Sequence, residues 1–177
     1  ALPDLIADVV AWGGGIDILV NNASSFYPTP PGEITEADWE DLVGSNLKAP
    51  LFLSQAALGE LRKSRGVIVN MIDIHAQRPL KHHTVYGPAK AGLAMLTRSL
   101  AKDLAPEIRV NGIAPGAILW PEDEMTDTTK QSILDQVPLG RPGDPADIAA
   151  CVLYLVRDAT YVTGQIIAVD GGRSVGW

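Results

Sequence analysis

The chain alternates between segments with a helical period and short apolar runs. In residues 2–12 the apolar side chains recur three or four positions apart, which predicts a helix that ends at "GGG". Thr35 and Asp38 predict the start of a second helix, because the pair is a shortened relative of the capping box. That helix is expected to run to about Arg62, with a break or kink near Gly44. Further helices are predicted from about Tyr86 to Leu104, briefly within 127–136, and from Asp144 as N-cap with Pro145 at the first position.

Four apolar runs between these helices predict buried strands. Helices and strands alternate along the chain, which predicts parallel strands joined by helical crossovers. The runs are apolar nearly throughout, as expected where helices cover both faces of a sheet. The sequence therefore predicts an α/β fold with strands in "IDILVNN" at 16–22, "GVIVNMID" at 66–73, "IRVNGIAP" at 108–115 and "GQIIAVDGG" at 164–172.

Composition and charge exclude several classes of protein. With 177 residues, 46% hydrophobic and 20% charged, the chain fits one globular domain with a sizeable core. The net charge of −7 makes a nucleic-acid partner a poor expectation. Cys151 is the single cysteine, which excludes an internal disulfide and fits a reducing compartment. No apolar run approaches the roughly 18 residues of a membrane span, and no secretory signal is recognisable, so we expect a cytoplasmic protein without membrane contact.

Polar or backbone-special residues follow three of the four predicted strands. Asn22 ends the first strand and is followed by Ala23 and Ser24, and Asp73 ends the second. Ligands of open α/β sheets bind beyond the carboxyl ends of the strands, so these residues are candidates for one site. Pro115 and Gly116, at the end of the third strand, join the same candidate site.

An aromatic pair stands in the loop after the first strand. In "NNASSFYPTP", Phe26 and Tyr27 lie among small polar residues and prolines. A plain turn has no use for an aromatic pair, whereas a flat ligand does. The alternative for Phe26 is a residue packed under its own loop.

"YGPAK" adds candidate chemistry, because Tyr86 and Lys90 are four residues apart and share one helix face. A cation beside a phenol lowers its pKa from about 10 toward the range of a general acid. Pro88 is compatible with a helix that begins near Tyr86, since N–H groups of the first turn have no intrahelical partner. The alternative is an ordinary surface tyrosine and lysine.

The three histidines are weak candidates for a metal site. The spacing of His75, His82 and His83 matches no zinc pattern and no cysteine lies nearby, so we expect a solvated substrate loop without a metal. Asp170 with the following "GG" is predicted to end the last strand and begin a turn.

Taken in order, these motifs resemble the short-chain dehydrogenase/reductases, nicotinamide-dependent enzymes with a Rossmann fold. The resemblance rests on "NNAS" after a strand, Asn46 in the next helix, Asp73 placed 13 residues before Tyr86, "YGPAK", "RVNGIAPG" and "VTGQIIAVDGG". The usual member has Ser where Asp73 stands. Asp at that position, with "NNASSFYPTP" and "GSNLKAPLFL", is similar to the pteridine reductases.

The resemblance implies catalytic roles for four residues. Tyr86 and Asp73 would deliver the proton, with Asp73 and an ordered water relaying it to the substrate. Lys90 would bind the nicotinamide ribose and lower the pKa of Tyr86. Asn46 would hold a water of the relay, although a residue that serves the helix kink near Gly44 is the alternative.

It also implies binding residues. Phe26 would stack on the pterin ring, and Ser24 would hydrogen-bond to pterin and cofactor, with Asp73 and Tyr86 completing the substrate site. The cofactor would further contact Asn22, Ala23, Tyr86, Lys90, Pro115 and Gly116.

The beginning of the chain departs from the family pattern. A complete member opens with a strand and a glycine-rich turn that seats the cofactor pyrophosphate, and none is present, because "WGGGID" follows a helix and precedes a strand. We therefore expect residues 1–177 to form a partial single Rossmann domain, with strands 4–7 of the family order and "IDILVNN" as an edge. These residues alone are expected to bind NADPH weakly or not at all and to have negligible turnover, whereas the full-length parent is expected to be active.

The leading hypothesis is NADPH-dependent reduction of dihydropterin to tetrahydropterin, with oxidised pterin or dihydrofolate as further substrates. NADPH rather than NADH rests on the resemblance alone. One alternative is a general short-chain carbonyl reductase or alcohol dehydrogenase, and another is an inactive truncated chain that serves only in oligomerisation. Family members form tetramers, and the corresponding segments 34–62, 84–104 and 145–177 predict a homo-oligomer here.

Overall fold

The computed structural model describes residues 2–120 and 125–175, which form helices and one sheet. The strands are β1 (Ile18–Asn21), β2 (Val67–Met71), β3 (Arg109–Pro115) and β4 (Ile166–Val169). The α-helices are α1 (Leu2–Gly13), α2 (Glu36–Val43), α3 (Ala49–Ser64), α4 (Tyr86–Leu104), α5 (Asp127–Leu134) and α6 (Pro145–Leu153). Two π-helical segments, Gly44–Lys48 and Tyr154–Asp158, and one 3₁₀ turn, Ile74–Ala76, complete the regular structure.

The four strands form one parallel sheet in the order β1-β2-β3-β4. Val69 of the central strand β2 pairs with Val20 on one side and with Asn111 on the other. Because all strands run in the same direction, their carboxyl ends lie along one edge of the sheet. The predicted α/β fold with helical crossovers is confirmed.

Helices cover both faces of the sheet. On one face Ile68 and Val110 pack against Leu61 of α3 and Leu104 of α4. On the other face Val67, Val69 and Ile113 pack with Leu155 and the partly buried side chains of α6. Every residue of β2 is buried, as expected for the inner strand of a sheet covered on both faces.

The helix signals of the sequence are matched by the structure. Thr35 and Asp38 form a complete capping box at the start of α2, and Asp144 and Asp147 form another at the start of α6. The predicted break near Gly44 is the π-helical segment, where the N–H of Ala49 donates to the carbonyl of Gly44. The short helix predicted within 127–136 is α5, and residues 121–124 of the neighbouring segment lie outside the described residues.

The prediction that the first strand is buried is wrong for part of β1. Ile18 is 47% exposed and Val20 38% exposed. The reason is its position at the edge of the sheet, where only β2 pairs with it in the described structure. Its designation as an edge strand is confirmed.

No helix among the described residues is long and apolar enough to cross a membrane.

Arg109, at the start of β3, has a structural role that the sequence did not indicate. Its guanidinium donates to the carbonyls of Leu155, Val156 and Ala159, at 2.8, 3.1 and 2.9 Å. These carbonyls belong to the end of the second π-helical segment, where backbone acceptors lack intrahelical partners. Arg109 therefore fixes this segment to the sheet.

We predict that Arg109→Met lowers the free energy of unfolding by about 2–3 kcal/mol, because it removes charge-assisted hydrogen bonds and leaves buried carbonyls unpaired. Urea unfolding at constant slope measures the change. Arg157→Met is the matched control, since among the described residues Arg157 pairs only with its exposed neighbour Asp158, and its loss is expected to leave the midpoint unchanged. Equal effects of the two substitutions would contradict the assignment.

Candidate active site

The residues after β1, β2 and β3 meet at the carboxyl edge of the sheet, as predicted. Phe26, Asp73, Tyr86 and Gly116 line one cavity of about 450 Å³. The remaining wall of the cavity is largely apolar and consists of Leu80, Ala117, Ile118, Leu119, Trp120, Met125 and Ile133, together with His75 and Arg173. The combination of an apolar wall with a few polar groups is typical of a small-molecule site.

The central contact of this cavity joins Tyr86 to Asp73. The Tyr86 hydroxyl donates to Asp73 Oδ2 at 2.8 Å, while Asp73 Oδ1 accepts from the backbone N–H of His75 at 2.8 Å. Asp73 is the N-cap of the 3₁₀ turn that follows β2, so its carboxylate is held in place by the backbone. Both of its oxygens are thus oriented by the protein.

Tyr86 is held by the first turn of α4, because the helix begins at this residue. Pro88 lies in the same turn, where a missing N–H leaves no intrahelical hydrogen bond unmade. The predicted compatibility of Pro88 with this helix is confirmed. The side chain of Tyr86 is 4% exposed, so it is not an ordinary surface tyrosine.

The role of Lys90 in lowering the pKa of Tyr86 stays a prediction, because other groups dominate the pKa of this phenol in the structure. Burial raises the pKa of the Tyr86 phenol, the charge of Asp73 and the hydrogen bond to it raise it further, and a hydrogen bond with Ser24 opposes them only in part. A carboxylate in direct contact acts on the phenol more strongly than an ammonium 5.6 Å from the ring centroid. Tyr86 therefore keeps its proton at neutral pH.

Lys90 lies one helical turn further along α4 and is 2% exposed. Its Nζ donates to the carbonyl of Met71 at 2.9 Å, at the end of β2. Burial lowers the pKa of Lys90 to about 8, against the opposing charge of Asp73. The ammonium has three N–H groups, and Met71 is its one hydrogen-bond acceptor among the described residues.

Asn46 and Ser24 form a second polar contact beside the cavity. Asn46 is fully buried within the first π-helical segment, and its Nδ2 donates to the carbonyls of Leu42 and Ser25 at 2.9 and 2.8 Å. The Ser24 hydroxyl donates to Asn46 Oδ1 at 2.7 Å. These contacts confirm that Asn46 serves the helix kink, whereas its place in a water relay stays a prediction.

Phe26 forms an aromatic part of the cavity wall, and its ring is supported by a histidine outside the cavity. Its ring stacks on His83 with centroids 4.6 Å apart and an interplanar angle of 19°, and it meets the Tyr86 ring edge-on at 4.8 Å. His83 does not line the cavity, whereas Phe26 does and remains 53% exposed. Phe26 therefore offers surface to the cavity and is not simply packed under its own loop.

Gly116 allows two loops to approach closely. A Cβ atom at this position would lie 2.7 Å from the Cα of Asp170, so only glycine fits. Asp170 in turn accepts from the backbone N–H groups of Gly172 and Ser174, at 2.9 and 2.6 Å. These contacts confirm the predicted turn after β4 and place it against the end of β3.

Three further predicted residues, Asn22, Ala23 and Pro115, do not line the cavity. Asn22 and Ala23 are exposed at the end of β1, and Pro115 is the last residue of β3. Among the histidines, His75 Nδ1 lies 2.8 Å from the Arg78 carbonyl and His83 Nδ1 lies 2.9 Å from the Lys81 carbonyl. Within the described ranges no cluster of potential metal ligands is present.

Arg173 is a cavity residue that the sequence reasoning missed. It follows the glycines of the turn after β4, and this turn returns the chain to the cavity that contains Asp73. Burial lowers the pKa of its guanidinium, although the charges of Asp73 and Asp170 oppose this effect. The turn signal "DGG" could have placed residue 173 near the sheet edge, but not the direction of its side chain.

Comparison with known proteins gives consistent relatives. A family model described as enoyl-(acyl carrier protein) reductase matches residues 1–174. The 3-oxoacyl-[acyl-carrier-protein] reductase FabG of Thermotoga maritima is 36% identical over 175 residues, which cover 97% of this chain and 71% of the relative. Pteridine reductase 1 of Leishmania tarentolae is 39% identical over 186 residues, covering 92% of this chain and 64% of that protein.

A solved structure supports the same relationship. The short-chain dehydrogenase/reductase, glucose/ribitol dehydrogenase, from Brucella melitensis superposes with a TM-score of 0.87 at 33% identity, and the match covers 97% of this chain and 70% of that structure. Because a family model matches nearly the whole chain and several such relatives match above 30% identity, the chain belongs to the short-chain dehydrogenase/reductase family of NAD(P)H-dependent oxidoreductases.

Proposed function

We propose that the complete protein reduces a pterin, from the dihydro to the tetrahydro form, with NADPH as the reductant. The observation that carries the proposal is the contact of Asp73 with Tyr86 in a cavity that Phe26 also lines. A flat heterocycle gains from an aromatic face, and its ring nitrogens need a proton donor. The 39% identity to pteridine reductase 1 of Leishmania tarentolae supports the same choice.

The residues present fit a nicotinamide cofactor. The Lys90 ammonium is buried and has two N–H groups beyond its bond to Met71, which suits the hydroxyls of a ribose. Asn22 and Ala23 at the end of β1, and Pro115 and Gly116 at the end of β3, would contribute backbone around the nicotinamide. When bound, the cofactor supplies the hydride. NADPH is preferred over NADH here by analogy with the pteridine reductases.

In this proposal the protein supplies orientation and the proton. Tyr86 holds a proton at its hydroxyl, which points at Asp73 Oδ2. Asp73 Oδ2 would accept that proton and pass it on, through a water, to the substrate nitrogen, and the phenolate left on Tyr86 would then be reprotonated from solvent. Ser24 and Asn46 orient the neighbouring polar groups, and Phe26 holds the ring of the substrate in plane.

A second candidate function is the reduction of a carbonyl group on an acyl chain or alcohol precursor. The apolar part of the cavity wall, which includes Ile118, Leu119 and Met125, favours it, because such side chains suit an alkyl substrate. The 36% identity to the 3-oxoacyl-[acyl-carrier-protein] reductase of Thermotoga maritima supports this alternative.

The first test measures NADPH oxidation by the complete protein with dihydrobiopterin and with a simple ketone. We expect Phe26→Ala to lower kcat/KM for the pterin about tenfold or more, since it removes the stacking surface, and to leave any ketone reduction nearly unchanged. Phe52→Ala is the matched control, because the second phenylalanine lies outside the cavity. A preference for the ketone, together with indifference to Phe26→Ala, would favour the carbonyl reductase.

A second prediction concerns the proton on Tyr86. Asp73→Asn removes a negative charge in contact with the phenol, so the pKa of Tyr86 is expected to fall. Alkaline difference spectra should show phenolate from Tyr86 at a lower pH in Asp73→Asn than in the parent protein. Subtracting the spectra of matched variants that also carry Tyr86→Phe isolates this tyrosine from the other three. An unchanged titration would mean that Asp73 does not control the phenol.

A third prediction concerns the effect of the buried Lys90 charge on the free energy of unfolding. Its pKa is lowered from 10.5 to about 8, so the folded state disfavours the charged form and stability rises with pH between these values. Lys90→Met is therefore expected to raise the free energy of unfolding, on the order of 1–3 kcal/mol below pH 8, with a gain that shrinks toward pH 10.5.

Urea unfolding of the two proteins across this pH range measures the difference. The variant should at the same time lose activity, which separates a functional lysine from a structural one. A destabilising Lys90→Met at every pH would show that the bond to the Met71 carbonyl outweighs the burial of the charge.

A further inference from the structure

A second cavity, of about 300 Å³, adjoins the catalytic one. The two share His75, Leu80 and Arg173 in their walls. The other described residues of its wall are Ile74, Arg78, Pro79 and Gln136, so this described part contains two guanidinium groups and no carboxylate. A net charge of −7 for the chain makes this local excess of positive charge unusual.

Arg173 stands at the junction of the two cavities, near the carboxylates of Asp73 and Asp170. Among the described residues its guanidinium forms neither a hydrogen bond nor an ion pair, although it is partly buried. The two nearby carboxylates are already engaged. Asp73 accepts from Tyr86 and His75, and Asp170 accepts from Gly172 and Ser174.

A partly buried guanidinium whose N–H groups lack acceptors is costly even near carboxylates, unless a ligand accepts from it. The five N–H donors of a guanidinium match the two oxygens of a carboxylate or a phosphate in a fork geometry. A neutral hydroxyl offers no such charge compensation. Arg173 lines both cavities, so one molecule with its ring in the catalytic cavity can place a side chain against this guanidinium.

We propose that the cavity beside Arg173 and Arg78 is a subsite for an anionic group, a carboxylate or a phosphate, at the end of the substrate's side chain. This inference rests on the proposed function and narrows its substrate class to pterins with a charged tail. The apolar Leu80 and Pro79 line the same path and suit the uncharged linker between ring and anion.

Binding calorimetry on the complete protein, in the presence of NADP⁺, tests the subsite with three pterins. Folate carries a carboxylate tail, neopterin phosphate carries a phosphate, and biopterin carries only hydroxyls. We expect Arg173→Met to raise the Kd of one or both anionic ligands about tenfold to hundredfold, and that of biopterin less than about twofold. The ligand that responds identifies the anion.

Two further variants sharpen the result. Arg173→Lys keeps the charge but loses the fork, so it should retain part of the affinity that Arg173→Met loses. Arg157→Met removes one positive charge at an exposed position and should change none of the three affinities. Thermal melting of each variant checks that the fold is retained.

The outcomes separate this inference from the proposed function. If all three pterins bind the parent protein and Arg173→Met weakens them equally, or weakens none, the subsite is refuted and pterin reduction stands. If no pterin binds the parent protein, the proposed function fails and the subsite fails with it.

Discussion

The parallel register of the sheet is the constraint on which the site depends. Because side chains alternate between the two faces of a strand, a slip of one residue would move every buried side chain of β2 to the opposite face. Buried amides hold the register. Asn21 Nδ2 donates to Asn70 Oδ1 at 2.7 Å across β1 and β2, and Asn70 Nδ2 donates to the Thr97 hydroxyl of α4 at 2.9 Å. In another register these groups would be buried without partners.

The face of α4 that accepts the hydrogen bond from Asn70 also contains the candidate catalytic residues. Tyr86, Lys90, Leu93 and Thr97 are buried on α4, at the spacing of one face. Thr97 bonds to β2 through Asn70, and Lys90 bonds to the carbonyl of Met71 at the end of that strand. The position of the Tyr86 hydroxyl is therefore determined by two polar contacts between helix and strand. Asp73 lies two residues after the end of the same strand.

Residues that signal locally were predicted from the sequence, and those that act through distant neighbours were not. Tyr86 as the first residue of α4, and Asp144 as the cap of α6, follow from turn and capping chemistry within a few residues. Arg109 and Arg173 depend on elements about 50 and 100 residues away in sequence, respectively, so their partners and surroundings required the fold. The distances from the Tyr86 phenol to Asp73 and to Lys90 could also not be known from the sequence alone.

A comparison of distances shows which charge lies closest to the Tyr86 phenol. Spacing along a helix places Lys90 near the phenol, but it does not show that the Asp73 carboxylate is in contact with it while the ammonium donates to a strand carbonyl. The sign of the effect on the pKa of Tyr86 follows from the closer charge and from burial. A role assigned to Tyr86 and Lys90 from their motif therefore also requires the position of Asp73, the third charged or polar group at the site.

The charges around Tyr86 also explain how one proton could leave and return. Lys90 and Arg173 are the cations near Asp73, and with Tyr86 protonated one of them balances the Asp73 carboxylate. If Tyr86 and Asp73 together give up a proton, they carry two negative charges, and Lys90 and Arg173 can balance one each. The poorly solvated site then contains no uncompensated anion. An anionic substrate tail on Arg173 would use up that second charge and favour rapid return of the proton to Tyr86. With the proposed subsite, substrate recognition and proton supply would be coupled through the same guanidinium.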